Sequence, residues 1–157
     1  MNSNIAPLVE KFDDITDHVT NIYCIDIDGT LTEPHEGTPW EAVPRPRRIE
    51  YVNELYDEGA TIYLMTARGF IRSICIHEDD ILEAQKEADN YCRERTEAQL
   101  KKWGVKYHKL YFGKPRAVLY VDDRAMSDHE FECNVLWQIY MMMESIGVDL
   151  PQLPHLQ

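Results

Sequence analysis

The sequence predicts an α/β fold: a Rossmann-like parallel sheet with helices on both faces. Strand signals rich in β-branched and aromatic residues alternate with amphipathic helical stretches, the pattern of helices crossing over a parallel sheet. The stretch Ala117 to Val121 (AVLYV) is short and wholly apolar, as strands buried on both faces are. Three of the predicted strands also end on polar residues: Asp26/Asp28, Thr66/Arg68 and Asp122/Asp123. In open α/β sheets, ligands bind at those carboxyl ends.

Taken in order, residues 1–19 are polar and acidic, with Leu8, Val9, Phe12 and Ile15 in a weak helical pattern. They are expected to form an extension that packs on the domain or on a neighbour. Residues 20–150 then make one domain, and 151–157 a short proline-broken tail. Residues 21–27 alternate and carry Ile and Tyr, which predicts the first strand. Four prolines and a glycine fall within 33–46, so this is an irregular loop that Trp40 is expected to anchor. A helix is expected from about Arg47, with Ile49, Val52, Leu55 and Tyr56 at helical spacing and Gly59 at its end. Residues 60–65 (ATIYLM) predict the second strand. Asp79 or Asp80 could cap a helix running toward Arg95, with Ile81, Ala84, Ala88 and Tyr91 on one face. The pattern Thr96 to Gln99 matches a capping box and predicts a separate short helix through Leu100 and Trp103 to Gly104. Part of 105–112 is expected to be a strand. Ser127 to Glu130 is a second capping box, opening a helix whose stripe is Phe131, Val135, Ile139, Met142 and Ile146.

Composition narrows the function classes. A chain of 157 residues, 44% apolar and 28% charged, suits one globular domain. No apolar run approaches the roughly 20 residues of a membrane span, and the N-terminus has no signal-peptide pattern, so a cytoplasmic location without membrane contact is expected. The four cysteines form no CxxC pair, which excludes a disulfide framework or a zinc motif; Cys24 and Cys133 read as small core residues. The six histidines have no ligand spacing. A net charge of −12 repels nucleic acid at long range. The cluster Arg45, Arg47 and Arg48 is the one local feature that could contact an anion, although solubility accounts for it as well.

The strand ends supply the parts that phosphate-ester cleavage needs: a nucleophile, an acid for the leaving oxygen, and positive charge on the phosphoryl oxygens. Asp26 ends the first strand and can attack phosphorus. Asp28 can serve as acid and then base. Two close carboxylates repel, so a divalent cation is required to offset them; Mg²⁺ suits oxygen ligands, and Asp122 or Asp123 offers a third carboxylate. Gly29 allows the sharp turn, and Thr30 offers a hydroxyl and an N–H to phosphate. Thr66 can hydrogen-bond a phosphoryl oxygen, and Lys114, stiffened by Pro115, supplies a fixed positive charge. Ala67, Arg68 and Arg124 flank these positions as candidate substrate contacts, and each arginine could equally pair with an acidic neighbour.

Asp26-Ile-Asp28-Gly-Thr-Leu-Thr, Thr66-Ala-Arg68, Lys114-Pro115 and Val-Asp122-Asp123, in this order, resemble the motifs of the haloacid dehalogenase (HAD) superfamily across about residues 21–126. The stretch Thr96 to Val105, Tyr107 and Phe112 to Pro115 resembles small capsule-biosynthesis phosphatases of that superfamily. Asp122-Asp123-Arg124 is similar to the sheet ending of its polynucleotide 3′-phosphatases. The resemblance implies Asp26 as nucleophile and Mg²⁺ ligand. It implies Asp28 as acid/base, binding metal through its backbone carbonyl, with Thr66 and Lys114 holding phosphate and the Asp122/Asp123 pair completing the metal site. The expected activity is a phosphomonoesterase acting through an aspartyl-phosphate on a phosphorylated sugar or similar metabolite. A nucleic-acid 3′-phosphate is the alternative, with nucleic acid entering only as substrate. Phospho-receiver modules separate their acidic pair from the accepting aspartate and lack the Gly-Thr, which disfavours that reading. An idle binding module is disfavoured by the presence of every expected group. Little chain is left for a cap domain, so the site suits a bulky substrate or a lid from another subunit of a homo-oligomer.

Overall fold

The computed structural model describes residues 21–77 and 80–147. The expected extension at 1–19, the tail at 151–157 and the alternative cap Asp79 lie outside them. Strands β1 (Ile22–Asp26), β2 (Thr61–Thr66) and β3 (Lys109–Phe112) form one parallel sheet in the order β1-β2-β3. Helices flank it, and the fold is Rossmann-like with a small or absent cap. Ile25 is in register with Leu64, and Leu64 with Leu110, so one sheet face carries a continuous apolar row. That row joins Ile27, Leu31, Ile62 and Phe112 in the core. No helix among the described residues is long and apolar enough to cross a membrane.

Helix α1 (Pro46–Asp57) begins on proline, whose missing N–H costs nothing in a first turn. It buries Ile49 and Val52 against the sheet. A short helix, α2 (Phe70–Ile76), follows β2. Helix α3 (Ile81–Trp103) is capped by Asp80, whose Oδ1 accepts from the backbone N–H of Leu82 and Glu83, each at 3.1 Å. The structure corrects the break expected at Thr96: α3 runs through it unbroken. Its buried stripe, Ala84, Ala88, Cys92, Thr96 and Leu100, repeats every fourth residue with no Gly or Pro to interrupt it. Ile81 and Tyr91, expected on that face, are exposed. The Thr96 hydroxyl, expected to cap, instead meets the Arg68 guanidinium at 3.3 Å.

The expected strand at 117–121 does not form. Val118, Leu119, Tyr120 and Val121 are all exposed, and the segment has no strand partner. Connectivity explains this. Only residues 113–116 separate it from the end of β3. A parallel crossover needs about a dozen residues or more to return to the start of the sheet. Cys24 is exposed and Cys133 half-buried, so neither is a core residue; Cys92 is the buried one. Cys24 lies on the sheet face opposite Ile25, away from the apolar row.

Helix α4 (Asp128–Ser145) starts on the expected capping box: Ser127 Oγ accepts from Glu130 N–H at 3.2 Å, and the Glu130 carboxylate accepts from Ser127 N–H at 2.8 Å. Of its predicted stripe, Val135 is buried, while Met142 and Ile146 are exposed. The helix is tied to the domain by Arg48, a buried residue of α1 that pairs with Asp128 and Glu132 and donates to the Thr30 carbonyl at 3.0 Å. The carboxylates retain solvent contact, which lowers what the pair is worth, whereas the arginine does not. Arg48→Ala is therefore expected to cost about 2 kcal/mol, below the range for fully buried pairs. Urea unfolding measures this, and a loss under about 0.5 kcal/mol would mean that α4 is held by its apolar contacts alone.

Candidate functional site

The site grows from the end of β1. After Asp26 the chain turns at once: the N–H groups of Thr30, Leu31 and Thr32 all bond the Ile27 carbonyl, at 3.3, 2.9 and 3.2 Å. Gly29 takes φ +85°, a conformation side chains disfavour, and its N–H donates to Thr32 Oγ1 at 3.0 Å. This tight reversal holds Asp26 and Asp28 on either side of the buried Ile27. Thr30 is fixed through its carbonyl by Arg48.

Asp26 meets Lys114, whose Nζ lies 3.2 Å from Oδ1. Burial pushes the Asp26 carboxyl above the ordinary carboxylate range; the Lys114 charge and hydrogen bond oppose this, and the neighbouring Asp28 reinforces it. Lys114 is presented by a tightly fixed loop. Its N–H bonds the Thr66 carbonyl at 3.1 Å, joining the ends of β2 and β3. Gly113 before it takes φ +84°, and a Cβ there would stand 2.2 Å from Gln85 Cγ. The Tyr120 ring lies 4.6 Å from Lys114 Nζ, a cation–π contact from a residue with no sequence signal of its own.

Asp28 is held differently. Arg68 Nη2 donates to Oδ1 and Nε to Oδ2, both at 2.8 Å, a two-pronged fork on one carboxylate. Thr66 is fully buried below it, its hydroxyl 3.4 Å from Asp28 Oδ2 and accepting from Arg68 N–H at 3.1 Å. The sequence reading gave Thr66 a phosphoryl oxygen to bond and left Arg68 between a substrate and an acidic neighbour; in the structure both side chains face Asp28. Ala67 accepts from Phe70 N–H at 3.1 Å and so starts α2.

The expected third carboxylate is not assembled. Asp122 and Asp123 are exposed, and Asp122 Oδ1 accepts from Arg124 N–H at 2.8 Å in a local turn. Among the described residues no three His, Cys, Asp or Glu side chains are gathered as a metal site. The structure therefore brings together Asp26, Asp28, Gly29, Thr66, Arg68 and Lys114, and leaves Asp122, Asp123 and Arg124 in an exposed turn. Arg45 also turns to carboxylates, pairing with Glu33 at 3.1 Å and Asp128 at 3.6 Å.

Fold and site together define an α/β protein with an acidic pair at the carboxyl end of a parallel sheet, each member matched by its own cation. No protein-family model matches the chain, and no curated protein matches it. Among solved structures, the crystal structure of an MCSG target from Vibrio cholerae is similar, with 26% identity and a TM-score of 0.60, covering 81% of this chain and 99% of that one.

The Asp26 shift has a consequence for stability. From the ordinary value of 3.8 up to the raised one, the folded chain holds a proton that the unfolded chain has lost. Stability contributed by this group is thus lost as pH rises through that window. Asp26→Asn is expected to be more stable than the parent at neutral pH, with the gain vanishing as pH falls toward about 4. Urea unfolding at stepped pH measures it. A variant less stable than the parent at pH 7 would show that the Lys114 pair outweighs the burial.

Proposed function

We propose that this chain is a Mg²⁺-dependent phosphomonoesterase of the haloacid dehalogenase type, working through an aspartyl-phosphate. The observation that carries this reading is Asp26 at the end of β1, with Lys114 Nζ at 3.2 Å and the turn to Asp28 beside it. Asp26 Oδ attacks phosphorus, and its new O–P bond forms as the ester P–O bond breaks. The leaving oxygen takes a proton from the Asp28 carboxyl. Water then attacks phosphorus, the Asp26 O–P bond breaks, and the water proton returns to Asp28. Inorganic phosphate departs, and both residues are back in their starting forms. Lys114 holds the charge that builds on the phosphoryl oxygens.

The donor set fits Mg²⁺: the Asp26 carboxylate and the Asp28 backbone carbonyl offer only oxygen, and this ion is commonly held by one or two carboxylates together with substrate phosphate. A buried carboxylate shifted upward next to a second one is also a place where added positive charge is favourable. When bound, the ion supplies charge that offsets the carboxylates and polarises the phosphoryl group.

A phosphorylated sugar or similar metabolite is the substrate class we favour. The strongly acidic chain disfavours polyanions. Of the arginines that would favour a nucleic-acid 3′-phosphate, Arg45 and Arg48 already pair with carboxylates.

With Mg²⁺, purified protein is expected to release phosphate from an aryl phosphate. Chelation should abolish the release and Mg²⁺ restore it, and Asp26→Asn should lower kcat/KM at least about a thousandfold. Undiminished turnover by Asp26→Asn would sink the mechanism. A panel of sugar phosphates and 3′-phosphorylated oligonucleotides tests the substrate class, and preference for the oligonucleotide would overturn it.

A further inference from the structure

Arg68 is the most fully committed charged side chain of the described site. Its side chain is 1% exposed. Two of its nitrogens grip Asp28, and the third, Nη1, donates to Gln99 Oε1 at 2.8 Å and to Thr96 Oγ1 at 3.3 Å. Its guanidinium carbon also sits 5.5 Å from the centre of the Trp40 ring. Gln99 continues the line, its amide donating to the carbonyls of Pro39 at 3.1 Å and Trp40 at 3.4 Å. A single chain of contacts thus runs from the acidic turn after β1, through the end of β2 and the last turns of α3, into the loop between β1 and α1. Arg95 caps the other end, 4.1 Å from the Trp40 ring.

We propose that Arg68 and Gln99 are positioning residues that fix the Asp28 carboxylate relative to the Trp40 loop, and that Arg68 does not bind substrate. Four of the five guanidinium N–H groups donate inside the protein, and with the side chain 1% exposed and set against Trp40 the group has little surface to offer a phosphate. Its planar fork fixes both oxygens of Asp28, which a lysine cannot do. Gln99 is what orients the fork: its carbonyl oxygen accepts from Arg68 while its amide is fixed by backbone, so the side chain has one orientation. The acid/base role given to Asp28 rests on the phosphatase reading, whereas the chain of contacts does not.

Two measurements test this. In kinetics with an aryl phosphate and Mg²⁺, Arg68→Lys should lower kcat about a hundredfold and Gln99→Leu about tenfold, with KM changed less than about twofold in each. The Arg68→Lys/Gln99→Leu double variant should be no slower than Arg68→Lys alone, because Gln99 acts through Arg68. A raised KM with unchanged kcat in Arg68→Lys would make Arg68 a substrate contact, and wild-type kinetics in Gln99→Leu would show the line to be idle; either result overturns the proposal. The second measurement needs no activity: urea midpoints of Asp28→Asn, Gln99→Leu and their double variant. The two single shifts should fail to add, since they break one network. Additive shifts would overturn the proposal and leave the phosphatase reading standing. Non-additive shifts in a protein inactive on every phosphate ester would sustain the contact line and end the phosphatase reading.

Discussion

Two carboxylates separated by one buried residue are the constraint around which this structure is arranged. Left unmatched at a sheet end, they would repel each other and lose hydration. The fold answers with a separate cation for each, delivered from a different strand end: Lys114 from beyond β3 to Asp26, and Arg68 from beyond β2 to Asp28. The choice of cation is chemically distinct. The ammonium contacts one oxygen of Asp26, while the planar fork occupies both oxygens of Asp28. One aspartate is thus held at a single oxygen and the other at both.

The same device recurs one layer out. Arg48 is buried between α1 and α4, and its donors reach the Thr30 carbonyl of the acidic turn as well as two carboxylates of α4. The turn is therefore held from both sides, by Arg68 through the Asp28 side chain and by Arg48 through backbone. In a chain of net charge −12, Arg45 and Arg48 are turned to acidic neighbours, and of the 45–48 cluster Arg47 is the exposed member.

What the sequence could reveal followed from local chemistry. The β1 ending, the Gly29 turn, the helix expected from about Arg47 (found from Pro46) and the Ser127 capping box each rest on residues within a few positions of one another, and each is present. The failures share the opposite cause. Thr96 has the local pattern of a cap, but its hydroxyl is claimed by Arg68, 28 positions away. Gln99 and Trp40 carry no motif that marks them as neighbours of Asp28, and only the meeting of α3 with the β1–α1 loop makes them so. Cys24 looked apolar by its neighbours but lies on the face away from the core.

The segment 117–121 shows how connectivity overrides composition. Its residues are those of a buried strand, yet the chain between β3 and Ala117 is too short to return to the start of the sheet. Pro115 and Gly113 instead fold it back near Lys114, where Tyr120 sets its ring 4.6 Å from Nζ and its hydroxyl donates to the Pro115 carbonyl. The aspartates that follow thereby stay in an exposed turn.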